Sequence, residues 1–386
     1  MGAHALERHG GGCAVVTHSL FSARDSGSRD LEACDDFDLI AQEWDELARA
    51  TAAPPFARPG WLEAWWHAFG RGELRILVAR DAGRLRGVLP LERRNGVLAA
   101  LANAHSPSFD LVAADPEART ELLRRALELA SRRLELRELD RDGRTVAAMA
   151  DAARQRHVPL RVRELRQAPT VRLGTGAQEY PASLAGKRRR DLNRRRRRLD
   201  DAGTVEVSWH DGDERLDDLL DEGLALEGSG WKERAGTAIV SAESTRRFYQ
   251  AITHWAADQG LLRLGFLRLD GRPLAFQLTL WNERSCYLLK TGFDRAHQRE
   301  APGILLLAEL VARASAKGLE TVELLGDSEP HKMVFAQGHR TMVRAQAFVP
   351  SLSGRLDRLE KTYVRPLARR GSAAVERLID RSGTNR

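Results

Sequence analysis

Apolar and polar positions alternate most cleanly between residues 261 and 337, and this stretch predicts a run of strands that closes on a helix. Residues 262–269 read as one strand and residues 274–281 as a second, joined at Asp270-Gly271, a dipeptide that favours a tight hairpin. A third strand is expected over 285–293. After a polar loop, Pro302-Gly303 opens a helix in which Ile304, Leu307, Leu310 and Val311 recur at helical spacing, and Lys317-Gly318 closes it. Residues 321–325 are short, apolar and end at Gly326, so they read as a further strand. The order is β-β-β-α-β. A helix entered at Pro-Gly after a strand and a loop presents backbone N–H groups and the positive end of its dipole, which together make an anion seat.

The pattern upstream is weaker. Residues 1–33 are rich in Gly, Ser, Ala and His without a period and are expected to be a disordered lead. From residue 36, Leu39, Trp44, Leu47 and Ala48 share one helical face, and a second helix carries Trp61, Trp65, Trp66 and Phe69, indoles and a phenyl ring that read as core. Residues 74–80 and 85–92 flank a turn at 81–83. Sliding this hairpin by 188 residues lays Leu74, Arg75, Arg80, Gly83 and Arg84 on Leu262, Arg263, Arg268, Gly271 and Arg272. That match predicts two copies of one domain, over 34–174 and 175–349, followed by a basic helical tail over 350–386. The first copy lacks the Pro-Gly entry and reads as a degenerate partner shaping a cleft. His105, Ser108 and Asp110 are candidates to line that cleft, with a turn role the favoured alternative. Helices are expected over 116–133, 144–157, 216–226 and 245–258, an extended segment up to 173, and a final strand pair between 337 and 350.

Composition narrows the chemistry. The 386 residues, 42% hydrophobic and 30% charged, suffice for two domains of ordinary size. No apolar run approaches the ~20 residues that span a bilayer, and no signal-peptide pattern opens the chain, so a cytoplasmic location is expected. Three cysteines far apart, Cys13, Cys34 and Cys286, suggest neither a disulfide framework nor a metal cluster. The net charge of +7 hides 55 Arg against 6 Lys. Codon bias is the plain explanation, but it singles out Lys187, Lys232, Lys290 and Lys332, because a deprotonatable ammonium differs from a guanidinium. The run KRRRDLNRRRRR over 187–198 reads as a packed helix with a seam of Leu184, Leu192 and Leu199, in preference to a nucleic-acid patch, since it lacks aromatic residues for stacking. A G-x-S-x-G elbow, a phosphate-binding Gly-Lys-Ser/Thr loop and H-E-x-x-H are all absent, which disfavours a hydrolase, a P-loop NTPase and a zincin.

Several words of the sequence, in order over 231–332, carry a family resemblance: Trp231-Lys232, Gly236-Thr237-Ala238, Phe248-Tyr249, the string 267–276, Tyr287 to Asp294, Ala301-Pro302-Gly303, and Gly326-Asp327 with Lys332. The chain resembles the GNAT acyl-CoA N-acyltransferases, in their CelD-like branch related to the FemAB peptide-bridge ligases. The resemblance implies an α+β fold of two tandem GNAT-like domains, each a mixed central sheet flanked by helices. It also implies transfer of an acyl group from acyl-CoA, acetyl-CoA foremost, to an amine or hydroxyl of a sugar or cell-envelope (exopolysaccharide) precursor, with no metal. Gln298, Arg299, Pro302, Gly303 and Ile304 are then expected to hold the cofactor, Trp231, Lys232 and Tyr287 the acceptor, and Lys290, Asp294, Asp327, His331 and Lys332 to serve catalysis. The last strand ends should bring Lys290, Asp294, Asp327 and Lys332 to one cleft beside the helix entry. The loop Arg299-Glu300-Ala301-Pro302-Gly303 departs from the usual superfamily loop, and His331 stands where the resemblance has Tyr, so the donor stays open. Two alternatives remain: a FemAB-like transferase using charged tRNA, and a non-catalytic accessory protein of polysaccharide synthesis.

Overall fold

The computed structural model describes residues 29–174, 186–212, 215–228 and 243–360. Its centre is one long mixed sheet in the order β1-β2-β3-β4-β6-β13-β7-β12-β11-β10-β9-β8, with β5 pairing β3. The N-terminal half supplies β1 (Arg29–Cys34), β2 (Glu73–Asp81), β3 (Arg84–Arg94), β4 (Val97–Ala100), β5 (Val112–Ala113), β6 (Arg133–Asp140) and β7 (Leu160–Arg172). The C-terminal half supplies β8 (Val205–His210), β9 (Leu262–Leu269), β10 (Arg272–Trp281), β11 (Ser285–Phe293), β12 (Thr321–Glu323) and β13 (Gly338–Phe348). Helices α1 (Ala41–Ala50), α2 (Pro59–Phe69), α3 (Pro116–Leu129) and α4 (Arg144–Gln155) belong to the first half; α5 (Gly186–Ala202), α6 (Leu216–Gly228), α7 (Glu243–Asp258), α8 (Pro302–Ala316) and α9 (Pro330–Met333) to the second, with α10 (Leu352–Leu359) after it.

The hairpin similarity seen in the sequence is the surface of a deeper repeat. Both turns hold two residues at positive φ, Ala82 and Gly83 at 46° and 77°, Asp270 and Gly271 at 48° and 78°, as a two-residue hairpin of matching twist requires. Both ladders slip by one residue just after the turn, at Arg86 and at Leu274. Arg80 Nη1 donates to Glu43 and to the Gly83 carbonyl; Arg268 Nη1 donates to Glu222 and to the Gly271 carbonyl. The parallel pairs repeat as well: Val97 faces Arg133 across β4 and β6, and Ser285 faces Thr321 across β11 and β12. The turn residues, the slips, the arginines and the parallel pairs all repeat at 188 residues, whereas the two glutamates are 179 apart.

The halves are joined by an exchange of last strands. β7 pairs β12 of the C-terminal half, while β13 lies between β6 and β7. One hydrophobic cluster accordingly runs through both halves, from Trp44 and Trp61 to Phe248, Phe276 and Ala347. Trp61 and Phe69 of α2 meet Phe248 of α7 at 5.3 and 5.2 Å between ring centroids. A Cβ on Gly60 would fall 2.1 Å from the Trp255 ring, so only glycine lets α2 come this close to α7.

Three sequence expectations are corrected here. Residues 29–33, assigned to the lead, together with Cys34 pair antiparallel with β2 as its edge strand. The helix expected over 116–133 stops at Leu129, and residues 133–140 form β6; a slip in its ladder with β13 breaks the alternation of Leu134 and Leu136 before Leu139, so no strand period was visible. The expected final strand pair is a single strand, β13, whose two partners both come from the N-terminal half.

Candidate active site

The site is built where β11 leaves β12. The two strands pair in parallel only from Ser285 to Tyr287 against Thr321 to Glu323, after which β11 continues alone on that side to Phe293. On its other side the ladder with β10 slips at Leu278/Thr279, which face Lys290 and Leu288, leaving Leu289 as the extra residue of a bulge. A bulge reverses the alternation of side chains. Tyr287 and Lys290, three apart, therefore both face the α6 and α7 layer: the Tyr287 ring meets Phe56 edge-on at 5.1 Å, and Lys290 Nζ lies 4.9 Å from the Tyr249 ring centroid.

Glu227, at the end of α6, completes this nest. A Cβ on Gly292 would lie 2.5 Å from the Glu227 backbone nitrogen, so the glycine is what lets the helix end approach the strand. Glu227 is 3% exposed, and its charge opposes the effect of burial on Lys290. Burial pushes the Lys290 ammonium below the ordinary lysine value, with Glu227 pulling it back up. Burial also raises the Tyr249 phenol, and Glu227 adds to the rise, so it stays protonated at neutral pH. The fourth member comes from the N-terminal half. The His105 ring stacks on Phe69 at 5.6 Å and meets Tyr249 edge-on at 5.9 Å. Burial and then the Lys290 cation lower its pKa to about 4, against the pull of Glu227, which leaves a neutral imidazole at pH 7.

The expected cofactor residues surround the start of α8. Ala301 caps it in the left-handed region at φ 51°, no side chain accepts from its first turn, and that turn contains no acid. Pro302 is buried and begins the helix, whereas Ile304 is half-buried. A Cβ on Gly303 would come into ordinary contact with Phe293, at 3.6 Å. Gln298 and Arg299 are exposed on the preceding loop, and Arg195 of α5 donates to the Arg299 carbonyl at 3.3 Å.

The expected catalytic residues have separate surroundings. Lys290 lies in the nest just described. Asp294 caps the short turn Arg295–His297 by accepting from the Ala296 N–H at 2.9 Å and pairs with Arg272 at 2.7 Å. Lys332, buried, donates to the Leu325 carbonyl at 2.9 Å and pairs with Glu329 at 3.2 Å, which closes the loop after β12. His331 lies 3.5 Å from Glu329, and Asp327 is exposed on that loop. Trp231 and Lys232 lie outside the described residues. Glu227 was not singled out from sequence at all; it stood just past the helix expected over 216–226, but the helix includes it.

Comparison with known proteins agrees with this geometry. Residues 186–333 match the family model described as an acetyltransferase (GNAT) domain. This segment belongs to the GNAT superfamily. The chain also shares its fold with the crystal structure of FemX, at 13% identity, over 85% of this chain and 99% of that one, with a TM-score of 0.56. A conserved protein of unknown function from Bacteroides thetaiotaomicron aligns at 14% identity over 83% of this chain and 100% of its own, TM-score 0.54. No curated protein sequence matches. The matched segment contains Glu227, Tyr249, Lys290 and the start of α8, whereas His105 enters from the N-terminal half. Among the described residues, no helix is long and apolar enough to cross a membrane.

Proposed function

We propose that the GNAT segment transfers an acyl group from acyl-CoA, acetyl-CoA first among donors, to an amine or hydroxyl of a sugar or cell-envelope precursor such as an exopolysaccharide unit. The observation that carries this reading is the open entry of α8: a helix N-terminus without a capping side chain or acid, beside a bulged strand that ends in a splay. Such an entry attracts the phosphates of a nucleotide-like donor through its N–H groups and dipole. The chain's own residues then have distinct tasks. Lys290, beside buried Glu227, places a positive charge where negative charge develops on a thioester oxygen, and a water-poor setting strengthens that interaction. Tyr249 supplies the aromatic floor under the ammonium. The acceptor class rests on the family resemblance alone.

Calorimetry with acetyl-CoA, followed by a screen of amino sugars as acceptors, tests this reading. Micromolar binding with release of CoA thiol supports it. Absence of binding rejects it in favour of a second reading, in which charged tRNA is the donor. That reading draws support from the exposed arginines of α5 beside the 295–301 loop. It requires tRNA affinity that falls steeply with salt and depends on the aminoacyl end.

A further inference from the structure

The N-terminal half does more than shape a wall. In the C-terminal half, β11 passes its bulge and continues through Lys290 to Phe293; at the equivalent point of the N-terminal half, β4 stops at Ala100. The chain released there forms the loop that carries His105 into the nest of Lys290, Glu227 and Tyr249. This loop is held at several points. Phe109 N–H donates to the Glu138 carbonyl at 2.8 Å, and Arg166 donates to the carbonyls of Ser106 and Pro107 at 3.2 and 3.0 Å. Arg166 is itself paired with fully buried Glu138 at 2.6 Å. Within the loop, His105 N–H donates to Asn103 Oδ1 at 2.8 Å. The ring is thus fixed by its backbone and by Phe69 and Tyr249. Among the described residues, neither ring nitrogen has a hydrogen-bond partner, and the side chain is only half-buried. A histidine serving packing alone normally has one nitrogen bonded.

We propose that His105, supplied by the N-terminal half, is the proton acceptor for the amine that attacks the acyl donor in the C-terminal half. This rests on the acyl-CoA reading above. Neutral imidazole takes one proton from the acceptor ammonium, and the freed amine nitrogen forms a bond to the thioester carbonyl carbon. The C–S bond breaks with its electron pair on sulfur; the second nitrogen-borne proton goes to the thiolate, and His105 returns the first to solvent. The amide, CoA thiol and one proton are the products. The groups facing the ring are Lys290 from β11, Glu227 from α6, Tyr249 from α7 and Phe69 from α2. Burial first, and the Lys290 cation second, keep the imidazole uncharged.

The test pairs two small nucleophiles with acetyl-CoA at pH 7: ethanolamine, which is protonated and needs a base, and hydroxylamine, which is already neutral. His105→Gln should slow transfer to ethanolamine by about 10²-fold or more, the usual worth of a placed base, and leave transfer to hydroxylamine and acetyl-CoA binding near wild type. Equal loss with both nucleophiles, or loss with neither, overturns the proposal, as does wild-type transfer to hydroxylamine alone. Wild-type protein that neither binds acetyl-CoA nor uses either nucleophile sinks the acyl-CoA reading, and the proposal with it. Independently of any variant, NMR of the histidine rings in the full chain should find one imidazole titrating at about 4; if all titrate near the ordinary value, the proposed environment of His105 is wrong.

Discussion

The N-terminal half begins its α3 helix under a carboxylate, and the C-terminal half begins its α8 helix under nothing. Asp115 accepts from the Ala118 N–H at 2.8 Å and pairs with Arg86, so the helix dipole of α3 is answered by the protein itself. Ala301 offers no capping side chain to α8, and the first turn of α8 carries no acid. Each helix connects the two strands of a parallel pair, β4 to β6 and β11 to β12, in the same register. Divergence between the copies is therefore concentrated in two local choices: a cap that fills or leaves open an anion seat, and a strand that stops or continues past its bulge. A filled cap stabilises the helix by about 1 kcal/mol. An open one forgoes that, and a bound anion would restore it through binding to the folded state.

The largest effect expected from breaking this asymmetry is at Lys290. Lys290→Met should lower acyl transfer by about 10²-fold or more, while thermal stability stays level or rises because a partly desolvated cation is removed. The pH dependence sharpens the point. With its folded pKa depressed, Lys290 binds fewer protons folded than unfolded between that value and the ordinary lysine value of about 10.4, so wild-type stability should rise with pH across that window. The Met variant should lose that rise in denaturation curves taken from pH 7 to 10. A variant as active as wild type would remove Lys290 from the chemistry.

Next comes the helix entry. Gly303→Glu places bulk and a negative charge at the positive end of α8, and acetyl-CoA affinity should fall by about tenfold or more, or roughly 1.4 kcal/mol. The mirror experiment is Asp115→Asn, which empties the charge from the α3 cap. It should not create acetyl-CoA binding in a Gly303→Glu background, because β4 ends at Ala100 and brings no Lys290 equivalent to α3. Calorimetric binding recovered in that double variant would show that the cap alone decides where the donor sits.

Much of this was legible in sequence, and what was not has identifiable physical causes. The β9–β10 hairpin and α8 announced themselves because Asp-Gly and Pro-Gly are local instructions. The bulge at Leu289 did not, since nothing in Tyr287-Leu288-Leu289-Lys290 marks which residue is extra; it is set by the ladder with β10. The exchange of β7 and β13 is also non-local, settled by which sheet edge each last strand meets. His105, Glu227, Tyr249 and Lys290 stand at positions with no common period, so only the tertiary fold unites them. His105 was noticed as a cleft candidate and set below a turn role, while Glu227 was passed over because a single carboxylate at a helix end is ordinarily solvated.

A smaller effect belongs to the Asp115 cap itself. Asp115→Ala should cost about 1 kcal/mol of stability by chemical denaturation. Burial alone would raise this carboxyl, but the Ala118 N–H and Arg86 outweigh it and hold its pKa below the usual range. Its contribution is therefore complete above the unfolded value of about 3.9 and is lost as pH falls through the lower folded value. Stability of wild type and variant should converge below that point. A difference that persists unchanged in acid would assign the loss to packing.

The smallest expected effect tests whether the copies are alike in energy where they are alike in geometry. Arg80 reaches from β2 to Glu43 of α1, and Arg268 from β9 to Glu222 of α6, each with two guanidinium nitrogens on one carboxylate. Both arginines are largely covered, at 16% and 17% side-chain exposure, but Glu43 is 45% exposed and Glu222 31%. Solvent screening takes back most of the Coulomb attraction at such sites, so each double-mutant cycle to Gln and Met should return only about 0.5–1 kcal/mol. The Arg268–Glu222 cycle should give the larger value, because its carboxylate is less wetted, and should lose less in 1 M salt. Arg80 has a further carboxylate, Glu32 on β1, at 3.5 Å. Removing Glu43 therefore leaves Arg80 partly answered, which lowers the apparent coupling in the first copy again. Should the first copy show the stronger coupling, exposure would not be what sets these pairs, and the edge strand β1 would have to be strengthening the bond it was expected to dilute.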